Sequence, residues 1–447
     1  MKVQALLGIV LLAVAGCTDV SSGTASGQSS MGPAQGASDG SRTGSPAGSA
    51  LGRAPTSGPT PASGQASAVR APTSVRKLDT ATAKLAQAGR EYVDVADPPT
   101  TGPRGEIHVK DLTDDGATVV STQPRATSDD GGLRLYQSTV GTLRGTTFTP
   151  FPQPEAGPAR SAVYLDSAGR YTAWTETTST SLDEFDWKVF LHDANTGKTR
   201  KLGDSRDIAP VRPVSARGES DPTVGEREVY WAATAPRNKK EGFDDLILGA
   251  PLDRPERMRK VVVGGYYPAA DGADLLYVSS THLDRNEAYA GRPAIKGTDR
   301  YEIQRLRNGQ TTTLASGTLT GDQSISGLTA HHGTVAYTLS RNPTATTSTL
   351  VLLEPDGKRT NIRMHHNGGS SVQLTDRFLA WGSGSSNGDA GQYLLDRPSG
   401  QLYKLGEAKG LSLMYSSPSG EFLGWTVPPA SPNRQFLVQL VRWTGRQ

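Results

Sequence analysis

Cysteine is almost missing from this chain of 447 residues: Cys17 stands alone. A single thiol supports neither an internal disulfide framework nor a cysteine-rich zinc centre. Aromatic residues are sparse, at 6%, and none precedes Tyr92. Past the first seventeen residues no apolar run is long enough to cross a hydrocarbon core of about 30 Å. Lys and Arg number 47 against 44 Asp and Glu, for a formal net charge of +3. The concentrated basic excess of an electrostatic nucleic-acid binder is therefore lacking. There is no P-loop, Rossmann fingerprint or H-E-x-x-H. One match to G-x-S-x-G, Gly36-Ala37-Ser38-Asp39-Gly40, lacks the strand and helix that a nucleophile elbow requires on either side.

What is present begins with a leader. Met1-Lys2-Val3-Gln4 carries one basic side chain, and Ala5 to Ala15 is apolar but too short for a mature membrane span. The run closes on Val14-Ala15-Gly16-Cys17. This segment resembles the lipobox of bacterial lipoproteins. The resemblance implies cleavage before Cys17, lipid attachment at Cys17, and residence on the extracytoplasmic side of the cell membrane. Two or three acyl chains hold far better than one, at about 0.8 kcal/mol per buried CH₂. From Thr18 to about Thr73 the chain is mostly Ser, Gly, Ala, Pro and Thr. Such a composition buries too little apolar area to offset its ordering entropy, so a disordered tether with a reach of roughly 40 Å is expected. Residues 77 to 89 are expected to form a short helix.

Beyond Tyr92 the pattern is all-β. An apolar-aromatic strand recurs at Ala117-Val120, Tyr171-Trp174, Val229-Trp231, Leu275-Val278, Val335-Tyr337, Phe378-Trp381 and Phe422-Trp425. A second strand follows each: Leu133-Tyr136, Lys188-Leu191, Leu246-Leu248, Tyr301-Leu306, Leu350-Leu353, Gln392-Leu395 and Phe436-Leu440. Turns containing Gly come next in several units, at Asn195-Thr196-Gly197, Asn308-Gly309, Asp356-Gly357 and Ser399-Gly400. Seven anchors about 51 residues apart are the signature of a β-propeller of four-stranded blades, with six blades as the alternative to seven. Glu91-Tyr92-Val93-Asp94-Val95 is placed to supply the outer strand that the last unit lacks. The organisation read from the sequence is thus a signal peptide over 1–16, a lipidated Cys17 and linker over 17–75, and a propeller over 76–447.

The blade sequences carry a further resemblance. Asp166-Ser167-Ala168-Gly169-Arg170-Tyr171-Thr172-Ala173-Trp174, with Val189-Phe190-Leu191-His192-Asp193 and Thr196-Gly197-Lys198 after it, is similar to a TolB-like or WD40-like propeller blade. Ser417-Pro418-Ser419-Gly420 before Phe422 resembles that family's S-P-D-G turn, with Ser for Asp. The resemblance implies a protein-interaction module and fixes no ligand.

Strand order predicts two unlike faces. Turns before each anchor strand and after its successor share one face and are short. The loops between the two strands open opposite and are long: Thr177-Asp186, Ala232-Asp244, Ser279-Asp299, Ser340-Ser348, Gly382-Gly391 and Thr426-Asn433. Glu176, Asp183, Glu184 and Asp186 make one loop acidic, and Arg237, Lys239 and Lys240 make the next basic. Among seven histidines, the pairs His331-His332 and His365-His366 would point to opposite faces of a strand, which suits chelation poorly. His108, His192 and His282 are isolated. Asp111, Asp114 and Asp115 before Gly116 fit an Asp-rich turn better than a calcium site.

No catalytic, cofactor-binding or metal residue and no cofactor are expected, and Cys17 is the one site residue. The expected function is non-catalytic binding or scaffolding of a protein or cell-envelope ligand by a membrane-anchored propeller, through the long-loop face. Two alternatives stand: a glycosidase- or lyase-like propeller enzyme with convergent acids on its inner strands, and a structural subunit of an envelope or secretion assembly.

Overall fold

The unbroken apolar runs of the anchor strands are explained by where their alternate side chains go. In Val335-Ala336-Tyr337, Val335 and Tyr337 enter one hydrophobic cluster and Ala336 enters the next. In Phe378-Leu379-Ala380-Trp381, Phe378 and Ala380 go one way while Leu379 and Trp381 go the other. A strand buried on both faces needs apolar residues at every position rather than every second one.

The computed structural model describes residues 72–124, 137–153, 160–177, 186–208, 222–236, 243–280, 299–319, 323–341, 347–365, 370–383, 390–407, 412–427 and 437–445. The expected signal peptide, Cys17 and almost all of the tether lie outside them.

Three short strands come first: β1 (Ser74–Asp79), β2 (Lys84–Leu85) and β3 (Tyr92–Asp94). Seven sheets follow. Blade 1 holds β4 (Thr101–Gly102), β5 (Gly105–Leu112), β6 (Thr118–Gln123), β7 (Thr139–Arg144) and β8 (Thr147–Pro150). Blade 2 holds β9 (Ser161–Ala168), β10 (Tyr171–Thr177), β11 (Lys188–Asp193) and β12 (Lys198–Asp204). Blade 3 holds β13 (Thr223–Val224), β14 (Glu228–Pro236), β15 (Phe243–Pro251) and β16 (Arg259–Val263). Blade 4 holds β17 (Gly265–Asp271), β18 (Asp274–Ser280), β19 (Asp299–Arg307) and β20 (Gln310–Leu319). Blade 5 holds β21 (Gln323–His331), β22 (Thr334–Arg341), β23 (Ser348–Leu353) and β24 (Lys358–Met364). Blade 6 holds β25 (Ser370–Leu374), β26 (Phe378–Ser383), β27 (Gly391–Asp396) and β28 (Leu402–Glu407), and blade 7 holds β29 (Met414–Ser416), β30 (Phe422–Val427) and β31 (Leu437–Trp443).

The inner strands of successive blades touch in sequence, β5 to β9, β13, β17, β21, β25, β29 and back to β5. That closed ring makes the fold a seven-bladed β-propeller. Each of the seven seams between blades holds its own apolar cluster. Close approach across a seam is tight enough to dictate residue size. A Cβ added at Gly382 would lie 2.1 Å from the backbone oxygen of Ser412 in the neighbouring blade.

The segment before blade 1 is a strap around the rim. β1 adds to the outer edge of blade 5 in parallel with β24, and β2 does the same to β28 in blade 6. β3 then runs antiparallel to β31, pairing Tyr92 with Trp443, and supplies the outermost strand of blade 7 as the sequence predicts. The expected helix over 77–89 is not formed. Lys77 to Asp79 complete β1, Thr80–Thr82 make one 3-10 turn capped by Asp79, and Lys84 and Leu85 form β2. The free edges of blades 5 and 6 offer backbone partners, and Asp79 meets His365 at 2.7 Å to fix the turn between them. Pairing with a waiting edge outweighs the weak intrinsic preference for helix.

All seven anchor strands fall where expected, as β6, β10, β14, β18, β22, β26 and β30. The second strand of the first unit does not. Leu133-Tyr136 lies outside the described residues, and the strand paired with β6 is β7. Its Gly141, where a Cβ would lie 2.3 Å from the oxygen of Thr149, weakens the apolar pattern that sequence reading relies on.

Candidate functional site

In an antiparallel blade the first-to-second and third-to-fourth turns share one face. All of these turns lie within the described residues. The segments of the blades outside them all fall in the second-to-third connections and in the links between blades, which share the other face.

The turn face is stitched from blade to blade by hydrogen bonds to backbone. Ser419 N donates to Asp114 Oδ1 at 2.7 Å, closing blade 7 onto blade 1. Val224 N donates to Asp166 Oδ2 at 2.7 Å, from blade 3 to blade 2. Glu226 N donates to Gly272 O at 2.9 Å, and Gly333 N to Asp271 Oδ2 at 2.8 Å. Arg377 reaches Thr444 O at 3.1 Å. The carboxylates at these turns are acceptors that hold the ring in register.

One place on this face gathers more chemistry than a stitch. β21 and β22 are joined by the two-residue turn His332-Gly333, with φ of +48° and +80°. Two left-handed residues are the mark of a type I′ turn, which favours Asn-Gly, as at Asn308-Gly309 in blade 4. Here His occupies the Asn position. Its left-handed backbone brings the His332 ring beside that of His331, with centroids 4.1 Å apart. The expectation that adjacent histidines diverge holds for extended backbone and is overturned by this turn. Both rings reach Asp376, in the turn between β25 and β26 of blade 6. His332 Nδ1 lies 2.9 Å from Asp376 Oδ2, and His331 Nε2 lies 3.5 Å from Oδ1. Burial pushes the His331 imidazole below its ordinary pKa, and the neighbouring His332 adds to this against the pull of Asp376. Burial would raise the Asp376 carboxyl, but the His332 hydrogen bond and the charges of His331, His332 and Arg397 leave it below its ordinary value. Arg397 ties the two turns together. Its guanidinium donates to Thr334 Oγ1 at 2.8 Å, to Glu354 Oε2 at 2.7 Å and to Thr375 O at 2.6 Å.

A second cluster sits between blades 1 and 2. Asp111, at a bulge in β5, and Asp166, near the end of β9, are carboxyls on neighbouring inner strands. Burial raises Asp166 to about 6, and burial plus the charge of Asp166 raises Asp111 well above its ordinary value. A carboxyl whose folded pKa is raised binds more protons folded than unfolded. Its contribution therefore favours folding at low pH and is lost as pH rises through the folded value. Asp166→Asn is expected to flatten the decline in stability between pH 4 and pH 8, because it removes a carboxyl that must ionise inside the protein. Urea unfolding at both pH values checks this, and an unaltered slope would refute it.

The other residues singled out in the sequence have separate partners. Asp115 pairs with Arg144, whose hydrogen bond lowers it to about 2. Asp111 accepts from Leu112 N at 2.8 Å, Asp114 from Ser419 N and Asp115 from Arg144, so each of the three has a partner of its own. His192 is buried, stacked on Phe151 at 3.9 Å and bonded to Thr199 Oγ1 at 3.1 Å. His108 meets Gln123 at 2.9 Å and is lowered by burial and by Lys110 to about 4. Glu176, expected on an acidic loop, is inside the protein. It accepts from Arg160 Nε at 2.6 Å and from Trp174 Nε1 at 2.8 Å, with Arg160 and Glu176 only 3% and 4% exposed. Asp186 accepts from Thr177 Oγ1 at 3.0 Å. Cys17, Asp183, Glu184, Arg237, Lys239, Lys240, His282 and His366 lie outside the described residues. Asp376 and Arg397 went unnoticed in the sequence. They stand 44 and 65 residues from His332, and no local pattern links them.

No family model and no curated protein matches this chain. Solved structures do. An oligogalacturonate lyase in complex with manganese is similar at 10% identity and a TM-score of 0.48, over 81% of this chain and 98% of that one. The β-propeller domain of the Trilobed protease from Pyrococcus furiosus gives 10% and 0.45, over 80% and 97%. YCF48 bound to D1 peptide gives 12% and 0.42, over 81% and 97%. At such identities the class is the seven-bladed propeller that the sheets themselves define.

Proposed function

We propose that this chain is a lipid-anchored, extracytoplasmic propeller that captures a protein or cell-envelope component without catalysis, through the face bearing the second-to-third connections. The observation that carries this reading is the asymmetry of the two faces. One is a ring of short turns bonded to each other. The second-to-third connections, long in the sequence, join strand ends on the opposite side, which is where a rigid scaffold carries recognition loops. Anchoring rests on the lipobox-like Val14-Ala15-Gly16-Cys17. Crosslinking on intact cells, with identification of the captured partner, tests the reading. Replacing 237–242 and 281–298 by short turns should leave the circular dichroism spectrum intact and abolish capture. Undiminished capture would sink the assignment of the face. In the same cells Cys17→Ser should release the protein from the membrane fraction, and continued attachment would refute acylation there.

A second reading has one observation in its favour. Asp111 and Asp166 are acids on neighbouring inner strands, with the Asp166 charge felt at Asp111, and a propeller hydrolase or lyase would draw on such acids. Each also bonds to backbone N–H groups, which ties both to the folding of the ring.

A further inference from the structure

We propose that His331 Nε2, His332 Nδ1 and the Asp376 carboxylate form a three-ligand site for a divalent first-row transition ion of the zinc class, bridging blades 5 and 6 on the turn face. The ligand atoms of the three residues all lie within 4.8 Å of one another. Bonds of about 2.0–2.1 Å in tetrahedral geometry place neighbouring ligand atoms about 3.3 Å apart. Asp376 Oδ1 lies 3.1 Å from His332 Nδ1 and 3.5 Å from His331 Nε2, on either side of that edge, and drawing the two imidazole nitrogens from within 4.8 Å to the same spacing seats an ion. Two imidazoles and one carboxylate form a borderline donor set, which suits Zn²⁺, Co²⁺ or Ni²⁺ better than Ca²⁺ or Mg²⁺.

Two independent features mark the arrangement as built. The first is the backbone of His332. A left-handed residue other than Gly carries strain, and Asn or Gly would fill this turn more easily. His in that position is what brings two imidazoles to one side. The second is the support behind the ligands. Arg397, 14% exposed, donates to Thr334, which follows the His332-Gly333 turn, and to Thr375, which precedes Asp376. The turn that carries the imidazoles and the turn that carries the carboxylate are therefore held at fixed separation before any ion arrives. Asp271, bonded to Gly333 N, places a second negative charge beside His331. His332 and Asp376 are 70% and 60% exposed, so remaining coordination positions open to solvent and can accept water or an oxygen donor from a partner. The inference is independent of the long-loop face.

The test uses the full chain carrying Cys17→Ser, which removes the competing thiol. Stripped of metal and titrated with Zn²⁺ alone, it should bind one equivalent with a rise in melting temperature, and Co²⁺ should give visible absorption of nitrogen-oxygen coordination. His332→Asn restores the residue this turn prefers and removes the imidazole. Asp376→Asn removes the charge. Each is expected to weaken Zn²⁺ binding at least tenfold. Absence of stoichiometric binding, or binding by both variants as tight as by the parent, would overturn the proposal.

Discussion

Replacing Tyr92 with Ala should destabilise the propeller by about 3–5 kcal/mol, the range for emptying a buried aromatic site. Tyr92 is the one buried residue of β3, and its ring stands edge-on to Trp425 at 5.7 Å. It packs in the cluster that joins blades 6 and 7, with Trp443 and Phe378. The loss would not be confined to a cavity. β3 is the fourth strand of blade 7, and once it is loosened β31 becomes an unpaired edge at the place where the ring closes. Urea unfolding checks the prediction, with Tyr92→Phe as a control expected to stay within about 1 kcal/mol, since it keeps the ring. A loss under 1 kcal/mol for the Ala variant would mean that blade 7 is complete without the strap.

Glu176→Ala is expected to cost a similar 3–5 kcal/mol, for a different reason. The Arg160 guanidinium is buried, lies over the Phe190 ring at 5.4 Å, and has Glu176 as its carboxylate. The variant takes away the carboxylate that meets this buried guanidinium at 2.6 Å, and breaking a buried ion pair from one side is costly. Trp174 Nε1 loses its acceptor at the same time. Removing both charges should hurt far less than the sum of the single changes. Arg160→Leu combined with Glu176→Leu should recover most of the loss, because well-packed apolar residues often replace a buried ion pair at little cost. Additive losses in the double-variant cycle would show that the two groups do not act as a pair.

The sequence read well wherever a local repeat carries the information. The anchor strands and the hairpin glycines are short-range patterns, and the closing role of the Tyr92 strand follows from counting them, since the last unit is one strand short. It read poorly where a side chain's surroundings come from another blade. Glu176 looks like part of an acidic loop, with Asp183, Glu184 and Asp186 close behind it in the chain. Its burial is set by Arg160 sixteen residues earlier and by the seam with blade 1. Residues 77–89 suggest a helix, and only the edges of blades 5 and 6, more than 270 residues away, make strands of them.

By itself the sequence determined an all-β chain of about seven repeating sheets, because apolar strand runs and turn glycines act within a few residues, and the count of strands left the last sheet one short, to be completed by the segment at Tyr92. The tertiary structure alone decided which charges lie inside and which side chains meet. His332 joins His331 and Asp376 through a left-handed turn and a contact between blades, and neither a single backbone angle nor a 44-residue separation leaves a trace in the order of amino acids.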